Sequence, residues 1–231
     1  MKSPRRFFVL AFLLFCSGLS CAQENKAGRV LFLGNSITLH GPAENIGWSG
    51  NWGMAASTEA KDYVHLMVES LTKMRGLKPE FKVANVAEFE RGYEGFDLQA
   101  KLKEELAFKP DTVIVAIGEN VPELKTDEAK AAFKASVIQL LTLAKGTKQN
   151  ALYVRSCFWP DAVKDGLLKE ACAAAGGLFV EIGALGKDES NYASSERKFS
   201  HEGVARHPGD KGMRAIADAI LAAIQKHESN R

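Results

Sequence analysis

Three residues in this chain could act together on a carbonyl carbon. Ser36 closes the segment "RVLFLGNS", Asn120 closes "AIGEN", and His207 sits in "GVARHPGDKGM". A serine hydroxyl can attack, an imidazole can take its proton, and a carboxamide can donate to the oxyanion that forms. Gly34 before Asn35-Ser36 permits a tight turn, and the Ser36 backbone N–H is placed to join the oxyanion site. Each residue also has a plain structural reading. Serine after a strand is a common cap, Asn120 suits a turn, and Pro208 holds His207 extended at a helix entry with Asp210 as the cap of the last helix. Convergence decides between these readings, so the elements that carry the three residues matter most.

Short runs rich in β-branched and aromatic residues, Val30 to Leu33, Phe81 to Val86, Thr112 to Ile117, Leu152 to Arg155 and Leu178 to Ile182, read as strands buried on both faces. Helical stripes lie between them: Val64, Met67, Val68, Leu71 and Met74; Phe133, Val137, Leu140 and Leu141; and Met213, Ile216, Ala217, Ile220 and Ile224. Gly76, Gly146 and Gly176-Gly177 fall where helices should stop. Strand then helix, five times over, predicts a flavodoxin-like three-layer α/β/α sandwich with a five-stranded parallel sheet. Ligands of such sheets collect at the carboxyl ends of the strands. Ser36 and Asn120 both follow strands, and three long loops, Thr38 to Ser57, Ala87 to Asp97 and Gly183 to His207, are expected on the same rim.

At this point the chain resembles the SGNH or GDSL-type serine hydrolases. Gly34-Asn35-Ser36 matches their Gly-Asp-Ser block with Asn for Asp. Gly118-Glu119-Asn120 matches Gly-x-Asn-Asp, with Val121 for the last Asp. His207 matches the histidine that precedes their final helix. The resemblance implies that Ser36 is nucleophile, His207 general base and acid, and Asn120 oxyanion donor. Two positions depart from the pattern. Val204 stands where the family has its acid, leaving either a backbone carbonyl or a carboxylate such as Glu202 to orient His207. In "ANVAEFERGYEG", Asn85 is kept, but Glu88 lies near the expected oxyanion glycine, and a backbone N–H from Glu88 to Gly92 would have to substitute.

The loop "GPAENIGWSGNWGMAAS" interleaves Trp48 and Trp52 with glycines directly after Ser36. Exposed, the two rings would stack on sugar; buried, they would pack the loop. Trp48, Trp52 and Glu119 are the candidate substrate-binding residues. His201 is a second candidate base in the last long loop, whereas His65 falls in a helical pattern and His227 near the C-terminus.

Composition bounds the rest. The 231 residues are 46% hydrophobic and 25% charged, as in an ordinary globular domain. Residues 1–22 have a basic start (Lys2, Arg5, Arg6), an apolar run from Phe7 to Phe15 and small residues after it, the layout of a signal peptide. Two cleavages fit: one after Ala22, or a lipoprotein cleavage that leaves Cys21 as a lipid anchor. Either one makes 23–28 a short tether, 29–228 the hydrolase domain, and the protein exported, either periplasmic and membrane-anchored or secreted. Removing the leader takes the formal charge from +2 to −1, so no basic surface is left to argue for nucleic acid. Cys157 and Cys172 show no metal spacing and could be bridged or free. The reading is an esterase acting on a small-molecule or polysaccharide ester, most simply an O-acetyl group on carbohydrate, with no metal or organic cofactor. The same-class alternative is a lipase or thioesterase, and the different-class alternative is a non-catalytic glycan-binding protein. The oligomeric state is left open.

Overall fold

The computed structural model describes residues 28–230. The leader, Cys21 and most of the tether lie outside the described residues. Five strands form one wholly parallel sheet: β1 Arg29–Gly34, β2 Glu80–Asn85, β3 Thr112–Ala116, β4 Ala151–Arg155 and β5 Leu178–Val180. Their order across the sheet is β2-β1-β3-β4-β5. This is the flavodoxin-like arrangement, and the chain changes winding direction between β1 and β3.

The strands divide their side chains between two cores with a period of two. Val30 and Phe32 of β1 and Ile114 of β3 face α1 (Tyr63–Arg75) and α8 (Asp210–Glu228). Leu31 and Leu33, with Val113 and Val115, face the other layer, which holds α2 (Ala87–Gly92), α3 (Leu98–Lys101), α4 (Lys103–Ala107), α5 (Asp127–Lys145) and α6 (Ala162–Ala174). After their first residues, Arg29 and Thr112, β1 and β3 carry no polar side chain because a layer of helices covers each face.

Helix ends follow local chemistry. Asp62 caps α1 by accepting from the His65 N–H, and α1 stops at Gly76 with φ +73°. Thr126 caps α5 by accepting from the Ala129 N–H. Two expectations are corrected. Residues Ala87 to Asp97 are not a loop, since α2 and a further helical turn occupy most of them. Asp210, expected as the cap of the last helix, is its first residue; its carboxylate instead accepts from Ser57 N–H (2.7 Å) and Ser57 Oγ–H (2.6 Å) and fastens the tryptophan loop to α8. Cys157 and Cys172 are buried free thiols. Burial pushes the Cys157 thiol far up and the Cys172 thiol to about 11, so neither is a reactive thiolate. Among the described residues no helix is long and apolar enough to cross a membrane.

Candidate active site

The turn after β1 is built from its own side chains. Asn35 Oδ1 accepts from the Ile37 N–H (3.1 Å), and the Asn35 carbonyl accepts from the N–H groups of Thr38 (2.9 Å) and Leu39 (3.0 Å). Thr38 folds back onto Gly34 so closely that a Cβ there would collide with it and with the Ala116 carbonyl. The turn lifts Ser36, half-buried, onto the rim at the β1–β3 switch point. Its backbone N–H has no partner among the described residues.

His207 arrives from the far end of the chain. α7 (Glu202–Ala205) turns the backbone so that the His207 N–H bonds the Val204 carbonyl, and His207 O accepts from Ala193 N–H at 2.8 Å. Ser36 Oγ and His207 Nε2 are 2.8 Å apart, and His207 Nδ1 lies 2.7 Å from the Gly203 carbonyl oxygen. A carbonyl only accepts, so Nδ1 carries the proton, Nε2 is the free acceptor, and the Ser36 hydroxyl donates to it. Such a pair can move a proton from the serine to the imidazole. The backbone carbonyl, not Glu202, holds the ring. Val204, at the position of the family's acid, is buried against Trp48, Met54, Ala55 and Ala193 and anchors the rim loops. The Trp159 ring meets the imidazole edge-on, 5.4 Å away at 89°. Burial pushes His207 down to about 4; the Gly203 carbonyl and Glu119 pull upward, and His40 adds to the depression.

Beneath Ser36 lies a buried polar array that motif reading missed. Asn35 Nδ2 donates to Glu119 Oε2 at 2.7 Å and reaches Glu90 Oε1 at 3.2 Å. Glu119 Oε1 accepts from Arg155 Nη1 (2.6 Å) and Phe158 N–H (2.9 Å), with both side chains of the ion pair almost fully buried. Burial opposes ionisation of Glu119, but the Arg155 charge and these hydrogen bonds hold it below the ordinary carboxylate range. Burial and the Glu119 charge push Glu90 upward. An arginine closing the buried strand "ALYVR" was the available signal, because a buried guanidinium demands a buried acid.

The candidate residues therefore separate. Ser36 and His207 meet on the wall of a cavity of about 440 Å³, shared with His40, Asn85, Glu88, Arg91 and His201. Asn120 is half-buried beside that wall, joined to it through Arg91. Its Nδ2 donates to Glu90 Oε2 (2.7 Å), and its Oδ1 accepts from Arg91 Nη2 (3.1 Å). Glu119 is not a surface contact for substrate, because Arg155 and Asn35 take up its carboxylate. Trp48 and Trp52 do not form an open stacking platform. They pack against each other (5.6 Å, 75°), Trp48 is 8% exposed, and their Nε1–H groups bond the His40 and Ala56 carbonyls at 3.0 Å. Together with Met54 and Ala55, the two rings secure the glycine-rich loop against Ala193 and Val204. Glu88 lies in the first turn of α2, where an N–H lacks an intrahelical acceptor. Among the described residues no three or more His, Cys, Asp or Glu side chains converge as metal ligands.

Comparison with known proteins agrees on architecture. No protein-family model and no curated protein matches the chain. Among solved structures, one described as a GDSL-like lipase from Bacteroides uniformis aligns with TM-score 0.54 at 14% identity, covering 86% of this chain and 96% of that one. An acetyl xylan esterase aligns with TM-score 0.50 at 16% identity over 85% of this chain and 99% of that one. A two-domain esterase active on acetylated mannans aligns with TM-score 0.54 at 19% identity; 87% of this chain matches half of that protein. The chain thus has the SGNH/GDSL-type hydrolase fold, the fold that these GDSL-like lipases and carbohydrate esterases share. At such identities the likeness carries the fold alone.

Proposed function

We propose that the protein is an exported serine esterase that removes O-acetyl groups from carbohydrate, and that Ser36 is its nucleophile. The observation that carries this reading is the chain Ser36 Oγ–His207 Nε2, His207 Nδ1–Gly203 O at 2.8 and 2.7 Å. Ser36 Oγ attacks the ester carbonyl as His207 Nε2 takes its proton. The Ser36 N–H, the Glu88 N–H and the uncommitted amide hydrogen of Asn120 are the donors for the oxyanion. The imidazolium then protonates the departing sugar hydroxyl, leaving an acetyl group on Ser36 Oγ. Water activated by His207 releases acetate and restores the serine. Keeping Nδ1 on a carbonyl supplies the orientation that the missing acid would give, without its negative charge.

The carbohydrate reading draws on the names of the structural neighbours and on a cavity wall where Asn85, Glu88, Arg91 and histidines, beside Ile46 and Met54, offer hydrogen bonds to a hydroxyl-rich leaving group. Export draws on the N-terminal leader. The test is covalent labelling with a fluorophosphonate: wild type should label and Ser36→Ala should not. An unlabelled wild type, beside a serine hydrolase that labels, would sink the proposal. Acetyl nitrophenyl esters and acetylated oligosaccharides should turn over faster than long-chain esters, and the reverse ranking would favour a lipase.

A further inference from the structure

The Asn120 carboxamide has two faces of nearly equal size, and only one of them can serve an oxyanion. Two neighbours choose between them. Glu90 Oε2 sits 2.7 Å from Asn120 Nδ2, and Arg91 Nη2 sits 3.1 Å from Asn120 Oδ1. A carboxylate only accepts and a guanidinium only donates. Turning the amide over would set oxygen against oxygen and N–H against N–H. In the orientation held, one Nδ2 hydrogen is spent on Glu90 and the other has no partner among the described residues.

Glu90 does more than fix that amide. Its Oε1 takes the Gly118 N–H at 2.6 Å, the Asn120 N–H at 3.3 Å and Asn35 Nδ2 at 3.2 Å. One fully buried carboxylate on α2 therefore ties the residue before Ser36 to the turn that bears Asn120. Every group hydrogen-bonded to it is a donor, so each of these contacts calls for an acceptor at residue 90. Gly118 adopts φ +127°, and a Cβ there would strike Cys157 Sγ, so the backbone reaches Glu90 only because residue 118 has no side chain.

We propose that Glu90 is a positioning residue for ester hydrolysis and acts through Asn120, holding the amide so that an N–H and not the carbonyl oxygen serves the developing oxyanion. The inference rests on the esterase reading of Ser36. Glu90→Gln keeps the size but adds an N–H to a pocket of donors, and the Asn120 amide must turn to accommodate it.

The experiment is a double-mutant cycle with Glu90→Gln and Asn120→Ala, reading kcat per folded molecule and KM on an acetyl ester. Each single variant should lower kcat about a hundredfold with KM changed by less than about threefold, the scale of losing one oxyanion donor. With Asn120→Ala already present, Glu90→Gln should cost less than about a further threefold, because the two act as one unit. Equal losses in both backgrounds would assign Glu90 a merely structural role and overturn the inference. If Glu90→Gln does not fold, Glu90→Asp carries the same cycle. Independently of both, an Asn120→Ala enzyme with wild-type kcat would overturn it. No wild-type turnover would bring down the esterase reading as well. Turnover abolished by Ser36→Ala but untouched by either variant would bring down this inference alone.

Discussion

On one side of Ser36, His207 is held by a single neutral hydrogen bond at each ring nitrogen, to Ser36 Oγ and to the Gly203 carbonyl. On the other side, Asn35 and Asn120 are gripped by two buried carboxylates, one of them paired with a buried arginine. Charge stands behind the turn and the amide, and it is withheld from the base. The difference teaches where rigidity was needed. A carbonyl is enough to fix a tautomer, whereas an amide of ambiguous orientation and a turn without a side-chain core need acceptors that cannot be reversed.

The largest expected effect is on the lightly supported side. His207→Ala should lower kcat about a thousandfold, within the usual span of general-base catalysis, by nitrophenyl acetate turnover. A residual rate near wild type would hand the role to another histidine on the cavity wall, His201 first.

Next comes Asn35→Asp, which restores the family's usual residue. Here it would set a third carboxylate between Glu90 and Glu119, where an amide now donates to both. Urea unfolding should show a loss of about 3 kcal/mol, the scale of an uncompensated buried charge. Unchanged stability would mean that the buried array is less charged than its geometry requires.

A smaller effect separates the two sides by pH. The base must be neutral to take a proton, and burial holds His207 at about 4, so the acid limb of kcat/KM should fall near that pH and not near 6.5. Activity should be kept at pH 5.5 and lost only as pH drops through the lower value. Trp159→Ala opens the imidazole to water and should move the limb upward; a limb that stays in place would show that this ring does not set the burial. The smallest effect is expected from Glu202→Ala, with kcat within about twofold of wild type because the carbonyl already occupies Nδ1. A loss near that of His207→Ala would place a carboxylate behind the base and erase the contrast.

Much of this architecture was readable in one dimension. The five strands lie within two residues of their apolar runs, but only the inner strands are buried on both faces as expected. The edge strands β2 and β5 leave positions exposed because each lacks a neighbour on one side. α2 leaves no periodic trace in the sequence because six residues hold too few turns to show a helical period. Ser36 and His207 could be singled out because a nucleophile after a strand and a histidine before a helix have side chains that announce a chemistry. Glu90 announced nothing, for glutamate in a short helix is ordinarily a solvated residue. The orienting group of His207 could only be posed as a choice between carbonyl and carboxylate, because a backbone oxygen has no residue type.

What the sequence by itself determined was therefore the sheet, its order of construction and the two residues that meet at 2.8 Å across 171 positions of chain. What only the tertiary structure decided was the partner of each polar atom: Gly203 O for His207, Glu90 for Asn120, Arg155 for Glu119, and the His40 and Ala56 carbonyls for Trp48 and Trp52. Hydrophobic burial depends on a pattern that repeats along the chain and can be read from it. Hydrogen bonds between distant segments depend on distances of a few tenths of an ångström, and folding alone sets those.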